Sequence, residues 1–220
     1  MSVYVFYGDI TASWFVAQYD AWQNILNIKE QQRFLDMKSV VKKQQLVMSR
    51  YLIHQGLNKL GYSSNNNYEI INYNQLRLSD IKHSFSLSIT HSGNIAAIVL
   101  SEQPLKLGID VELSKVRNFT ELAQEFCTPE EVSLLASSAN IQESFYQLWT
   151  TKEALTKAGQ LSLLDCYRCN CVDVLHNESG VLLWQGERYF FHRLKWENTL
   201  GIVLCHNKAV ALTNIIQCHG

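Results

Sequence analysis

The sequence predicts an α+β protein built as two halves, each with long helical material and antiparallel strands. Three observations carry that prediction. Segments 39–60 and 140–159 repeat apolar residues at helical spacing, each between a capping residue and a glycine stop. Segments 85–90 and 107–113 alternate apolar and polar residues with the period of a half-buried strand. Between 101 and 106 a short polar stretch with Pro104 is the best hinge in the chain, so 1–103 reads as the N-terminal half and 104–220 as the C-terminal half.

Composition narrows the class. A 220-residue chain with 47% hydrophobic and 18% charged residues is that of a globular protein of one large domain or two small ones. Its net charge of −1 gives no global attraction to nucleic acid or to an anionic membrane, so any phosphate-binding patch is local. No apolar run approaches the roughly 20 residues of a membrane span. The start, Met1 to Tyr7, lacks the basic leader and extended apolar region of a signal peptide. Six cysteines then point to reduced thiols and a cytoplasmic location. Cys166, Cys169 and Cys171 cluster, and His206 and His219 lie near Cys205 and Cys218. The second clean ligand pair of a zinc site is missing, so Cys169 and Cys171 are expected as small apolar residues on the inner face of a strand.

In chain order, residues 3–7 predict a first strand, and a helical segment follows with Trp14, Phe15, Trp22 and Leu26 as its apolar positions. Lys29 to Arg33 is polar and partly basic. Ser39 caps a long helix with Leu46, Ile53, Leu57 and Leu60 inward and Gly61 at its end. Lys42, Lys43 and Arg50 ride on it. Residues 62–74, with Asn65, Asn66 and Asn67, read as a surface loop. Phe85, Leu87 and Ile89 alternate with Ser86, Ser88 and Thr90 in a strand with one buried face, delivering His91 and Ser92 at its end; 95–100 is the return strand.

After the hinge, Leu107, Ile109, Val111 and Leu113 alternate with Gly108, Asp110 and Glu112. Asp110 and Glu112 therefore share a face, roughly 6–7 Å apart along the strand. Oxygen ligands at that spacing suit a hard cation, Mg²⁺ above all. Asn118 with Glu121 opens a short helix carrying Leu122 and Phe126, and Thr128 to Glu131 is a capping box with proline at the first helical position. Asn140 with Glu143 caps the next helix, whose stripe is Phe145, Leu148 and Leu155 and whose stop is Gly159. On it Trp149, Glu153 and Lys157 fall on one side, offering an aromatic wall, a third carboxylate and an ammonium. Residues 163–213 read as strands near 169–174, 181–184, 188–194, 200–205 and 209–212, with turns at 177–180 and 197–198.

Together, Gly108-Ile109-Asp110-Val111-Glu112 and, about forty residues on, Trp149-Thr150-Thr151-Lys152-Glu153-Ala154-Leu155-Thr156-Lys157 resemble the signature of the 4′-phosphopantetheinyl transferases. The resemblance is close over most of 80–165 and looser elsewhere. Length and the upstream elements resemble the larger, single-chain, pseudo-dimeric class, the surfactin-synthetase-activating type. It implies two pseudo-twofold-related halves with the site at their interface. It implies a holo-carrier-protein synthase: Mg²⁺-dependent transfer of 4′-phosphopantetheine from coenzyme A to a serine of an apo acyl or peptidyl carrier protein, releasing adenosine 3′,5′-bisphosphate. Mn²⁺ is an alternative ion. Carrier domains of fatty-acid, polyketide or non-ribosomal peptide synthases would be the partners of a monomer, with no nucleic acid or membrane involved.

By the same resemblance Asp110, Glu112 and Glu153 hold the metal, and Glu153 also takes the serine proton, directly or through a water. Lys152 and Lys157 stabilise the phosphates and leaving group. Thr90, His91 and Ser92 match the family's [ST]-H-[ST], whose histidine contacts a coenzyme A phosphate. Two departures lie in the nucleotide region. The basic run that helps bind the 3′-phosphate reads Lys43-Gln44-Gln45 here, leaving Lys43 and Arg50, and the usual G-[KR]-P is Asn74-Gln75-Leu76-Arg77, leaving Arg77. A metal-dependent phosphohydrolase, which the same carboxylates would suit, and a non-catalytic coenzyme A-binding protein are the alternatives.

Overall fold

The computed structural model of the chain describes residues 2–62, 68–71, 74–79, 83–113, 115–194, 196, 199–208 and 212–218, with backbone alone for 199–205 and 212–214. Two compact units divide the chain, 1–103 with 211–220, and 104–210.

The first unit begins with β1 (Val3–Asp9), then α1 (Ser13–Trp22), a 3₁₀ turn (Gln23–Ile25), α2 (Ile28–Asp36) and the long α3 (Val40–Lys59). Four strands follow: β2 (Tyr68–Ile71), β3 (Gln75–Leu78), β4 (Ser84–Ser92) and β5 (Ile95–Ser101). With the last strand of the chain, β10 (Leu212–Gln217), they form a six-stranded sheet in the order β10-β1-β5-β4-β3-β2. Neighbours are antiparallel except β1 and β10, which run parallel.

Side-chain capping fixes the helix starts: Asn27 and Glu30 form a reciprocal capping box at α2, and the Ser39 hydroxyl accepts from the Lys42 amide at α3. Leu46, Ile53 and Leu57 of α3 are buried as expected, while Leu60 is half-buried at the rim. The helix lies close on the sheet at Gly56, where a Cβ would come within 2.9 Å of Leu100 and 3.3 Å of Phe6. Trp14, Phe15, Trp22 and Tyr51 form an aromatic cluster joining α1 to α3, with Trp22 stacked on Tyr51 at 4.3 Å.

Three expectations are corrected in this unit. Residues 68–71 are strand β2 rather than loop; residues 63–67 lie outside the described residues. The polar face of β4 is buried too: Ser86, Ser88, Thr90 and Ser92 are all buried, and the Ser86 hydroxyl donates to the Gln103 carbonyl at 2.8 Å. Small hydroxyls that can find an acceptor tolerate such burial. Finally, the C-terminal strand adds to the first sheet, not to the second half. Residues 209–211, where a strand was expected to begin, lie outside the described residues, as does His219.

The second unit runs β6 (Leu107–Leu113), α4 (Phe119–Phe126), α5 (Pro129–Ser137), α6 (Ile141–Gly159), α7 (Leu163–Tyr167), α8 (Asp173–His176), β7 (Ser179–Trp184), β8 (Glu187–Arg193) and β9 (Thr199–His206). Its four strands form an antiparallel sheet in the order β6-β9-β8-β7. Phe126, Phe145, Leu148, Leu155, Leu182 and Phe191 belong to its core. The caps at Asn118, Thr128 and Asn140 form as the sequence predicts. At the far end of α6 the left-handed residue is Gln160 (φ 54°), one beyond the expected Gly159. Gly159 closes the helix for a packing reason, since its Cβ would meet Leu161 at 2.7 Å.

Residues 169–174 are not a strand. Cys169 and Cys171 are buried in the turn between α7 and α8; the Cys169 amide and the Cys171 carbonyl are taken by local backbone partners, and the other two groups by side chains. The Cys171 amide donates to Glu131 at 2.7 Å, and the Cys169 carbonyl accepts from Lys152 at 2.6 Å. A segment whose backbone is satisfied this way has nothing left for a strand ladder. The turn expected at 197–198 lies outside the described residues, and 179–180 already belong to β7, whose tight turn to β8 is Gln185-Gly186, both at positive φ.

Candidate active site

Alternation along β6 puts Gly108, Asp110 and Glu112 on one face. Gly108 shows what that face meets: a Cβ there would lie 1.8 Å from the Ala154 carbonyl oxygen and 2.7 Å from the Ala158 nitrogen. The backbone of α6 thus rests directly on β6 at the glycine. Two residues along the strand, Asp110 is met by the next side chain of the helix. Lys157 donates to the Asp110 Oδ1 at 2.8 Å and to the Ile109 carbonyl at 2.9 Å. Asp110 is 7% exposed and Glu112 half-buried.

Glu153, one turn before Lys157, joins the same group. Burial raises the affinity of its carboxyl for a proton above the ordinary value. The charge of Asp110 adds to this, Lys157 opposes it, and Glu112 adds a smaller push. Three carboxylates and one ammonium therefore act on each other across β6 and α6. As they stand, no three His, Cys, Asp or Glu side chains among the described residues are gathered closely enough to hold a metal ion. The donor set still fits a hard cation: it is all oxygen, anionic and partly buried.

Trp149 and Lys152 of the Trp149–Lys157 stretch turn toward the interior, as Ala154 and Leu155 do. Trp149 is half-buried among Phe126, Phe145 and Tyr167, with ring centroids 5.1 Å from Phe126. Lys152, expected at the phosphates, is fully buried on another side of α6. Its ammonium reaches Glu131 Oε2 at 3.0 Å and the carbonyls of Cys169 and Tyr167 at 2.6 and 3.1 Å. An ammonium has three donors, and all three are engaged there. Glu131 also accepts from the amides of Thr128 and Cys171, each at 2.7 Å, which ties α5, α6 and the 167–171 turn to one buried ion pair.

In the first unit, His91 stands exposed at the end of β4, while Thr90 and Ser92 are buried on the opposite face. The turn that follows is held from α3: the buried Gln45 donates to the Gly93 carbonyl at 2.7 Å. Lys43, two residues earlier, lies 4.8 Å over the ring of Phe34. Arg50 is buried against Glu30 and also donates to Ser49. Arg77 sits on the exposed face of β3, paired with Glu69 at 3.2 Å. The structure thus sets Lys43 over Phe34 and buries Arg50 in the interior.

Sequence reasoning overlooked several residues. Gln45 stood only for a missing base, yet it anchors the His91 turn. Glu131 reads from sequence as a capping residue, and no signal there points to its pairing with Lys152. Tyr167 feels the charge of Glu153, after burial, as the next cause holding its phenol above the ordinary value. No spacing in the sequence links it to α6.

Comparison with known proteins bears on the same stretch. Residues 106–211 match the family model described as the 4′-phosphopantetheinyl transferase superfamily. A Haemophilus influenzae protein provisionally named as a 4′-phosphopantetheinyl transferase is 34% identical over 74 residues, covering 32% of this chain and 32% of that one. A similarly named Synechocystis protein is 38% identical over 74 residues, covering 32% and 30%. The chain spans about a third of the length of the curated relatives it matches. Among the described residues, no helix is long and apolar enough to cross a membrane. The carboxylate strand and the helix bearing Glu153 and Lys157 lie within a segment similar to the 4′-phosphopantetheinyl transferase superfamily.

Proposed function

We propose that this chain moves 4′-phosphopantetheine from coenzyme A onto a serine hydroxyl of an apo acyl or peptidyl carrier domain. Mg²⁺ would be bound, and adenosine 3′,5′-bisphosphate released. The observation that carries this reading is the contact at Gly108, which sets Glu153 and Lys157 of α6 against Asp110 of β6 inside the segment similar to the transferases.

Asp110, Glu112 and Glu153 are the residues that would hold Mg²⁺, an ion that usually keeps waters and completes its shell with substrate phosphates. Bound there, it would offset the charge of the pyrophosphate. The serine oxygen attacks the β-phosphorus, and the bond from that phosphorus to the oxygen shared with the α-phosphate breaks. The electron pair leaves with adenosine 3′,5′-bisphosphate. The serine proton goes to the Glu153 carboxylate, directly or through a water. Lys157 meets the leaving phosphate as a point charge.

His91, Lys43 and Arg77 are the proposed nucleotide contacts, with Thr90 and Ser92 holding the end of β4. Arg50 and Lys152, paired with Glu30 and Glu131, are proposed as scaffold cations rather than substrate contacts. The proposed setting is a monomer in the cytoplasm, where the free thiols of Cys127, Cys166, Cys169, Cys171 and Cys218 suit a reducing compartment.

Mass spectrometry of apo carrier proteins incubated with this protein, coenzyme A and Mg²⁺ tests the reading. A gain of one phosphopantetheine on the carrier serine is the expected result. Cleavage of coenzyme A without an acceptor would make the protein a phosphohydrolase, and binding without turnover beside a competent acceptor would make it a binding module.

A further inference from the structure

Lys157 holds one of the carboxylate oxygens that a metal ion at Asp110 would need. Its ammonium is at hydrogen-bond distance from Asp110 Oδ1 and from the carbonyl of the preceding residue, Ile109. Both acceptors are buried, whereas the Lys157 side chain keeps 30% of its surface exposed. It is therefore the member of the group able to leave. The carboxylates hang from shorter side chains on fixed backbone: Asp110 and Glu112 on the β6–β9 ladder, and Glu153 on a helix in backbone contact with Gly108. Without some cation, three carboxylates on this contact would repel one another. Lys157 supplies one positive charge where Mg²⁺ would supply two.

We propose that Lys157 is an exchangeable internal cation. It neutralises Asp110 while the metal site is empty, and it transfers to the substrate's phosphates when a divalent ion takes the carboxylates. The proposal rests on the transferase reading above, because that reading supplies both the metal and the pyrophosphate.

Two consequences follow from mass action. A divalent ion binding alone must displace the ammonium from Asp110, so its affinity is lowered by the strength of that pair. When coenzyme A is present its phosphates give the displaced ammonium a new partner, so metal and coenzyme A favour each other's binding. By reciprocity each raises the other's affinity by the same factor. A lysine that merely supported the fold would do the reverse, since its loss would loosen the carboxylates and weaken metal binding.

The test uses Mn²⁺ as the probe, followed by electron paramagnetic resonance or calorimetry on the full chain, with and without coenzyme A. In the wild type, coenzyme A should tighten Mn²⁺ binding several-fold. In Lys157→Met, Mn²⁺ alone should bind about tenfold more tightly than to the wild type, and the help from coenzyme A should shrink. Lys157→Arg keeps a cation at the site and should stay near the wild type. Mn²⁺ affinity unchanged or weakened in a folded Lys157→Met would overturn the exchange. So would wild-type Mn²⁺ binding that ignores coenzyme A, a measurement that needs no variant. Absence of Mn²⁺ binding to the wild type even with coenzyme A would remove the metal reading itself, and the exchange with it.

Discussion

Gly108→Ala is the sharpest perturbation the structure offers. The added Cβ would stand 1.8 Å from the Ala154 carbonyl oxygen and 2.7 Å from the Ala158 nitrogen, both backbone atoms. Ordinary contact begins near 3.4 Å, so α6 must retreat by about 1.6 Å, the difference between 3.4 and 1.8. Neither element gives easily, because β6 is paired with β9 from Leu107 to Leu113 and α6 is packed into the core through Phe145, Leu148 and Leu155. Overpacking of this kind costs about 1–3 kcal/mol, and backbone on both sides points to the upper end. At about 2–4 °C per kcal/mol for a chain of this size, melting should fall by about 5–12 °C. The same retreat lengthens the 2.8 Å contact between Lys157 and Asp110 past 4 Å, and displacements of about 1 Å at a reacting centre can cost about 10²-fold in rate. Thermal melts and carrier-transfer rates at saturating Mg²⁺ read the two effects. A folded Gly108→Ala protein with wild-type melting and wild-type transfer would refute the reasoning, because the backbone contact at Gly108 would then set neither the stability nor the spacing of the site.

Other perturbations separate the site from the scaffold. Asp110→Ala should abolish transfer while leaving the circular dichroism spectrum unchanged; full transfer at saturating Mg²⁺ would remove Asp110 from the site. Glu153→Gln keeps shape and one oxygen but cannot accept a proton, so kcat should fall by about 10²–10⁴ without recovery at high Mg²⁺. Recovery there would make it a metal ligand only. Lys152→Met should lower stability by about 3–5 kcal/mol through the unpaired Glu131, and adding Glu131→Gln should restore part of it. Additive losses in that double variant, measured by urea unfolding, would contradict the pairing. The last perturbation is pH. Burial first, and the neighbouring His192 second, push His206 down to about 4 from its ordinary 6.5. A group whose folded value is depressed favours the fold above the unfolded value and loses that contribution as pH falls from 6.5 toward 4. Wild type should therefore lose more melting temperature over that window than His206→Gln, and parallel curves would rule the contribution out.

What the sequence made legible was local. Caps at Ser39, Asn118, Thr128 and Asn140 are decided by a side chain and an amide three residues on, so they can be read without knowing the fold. The alternation through 107–113 and the spacing of Glu153 and Lys157 were legible for the same reason. Partners distant in sequence were not. Nothing near 212–217 says that this strand will run parallel to β1, the first strand of the chain. Nor does anything near Cys169 and Cys171 announce that Lys152 will take the Cys169 carbonyl and Glu131 the Cys171 amide, so the alternating 169–174 segment became a turn and the start of a short helix.

Lys152 shows where a residue pattern stops short of chemistry. In sequence it stands beside Glu153, and adjacency invites a shared role. On a helix, neighbours are separated by about 100°, and here that rotation sends one side chain to the carboxylates and the other into the core. The sequence already held the alternative reading, because Glu153 with Lys157 at four residues is the pair that shares a face. Gly108 completes the argument from the other side. Its place in the strand pattern shows only that a side chain is missing. The structure shows why none can be there: the carbonyl of Ala154 fills the space, and the residue next to Ala154 is Glu153. The glycine, the carboxylate two residues later and the glutamate on the helix are therefore one geometric unit. A change at Gly108 should reach Glu153 through the helix backbone before it reaches Asp110 along the strand.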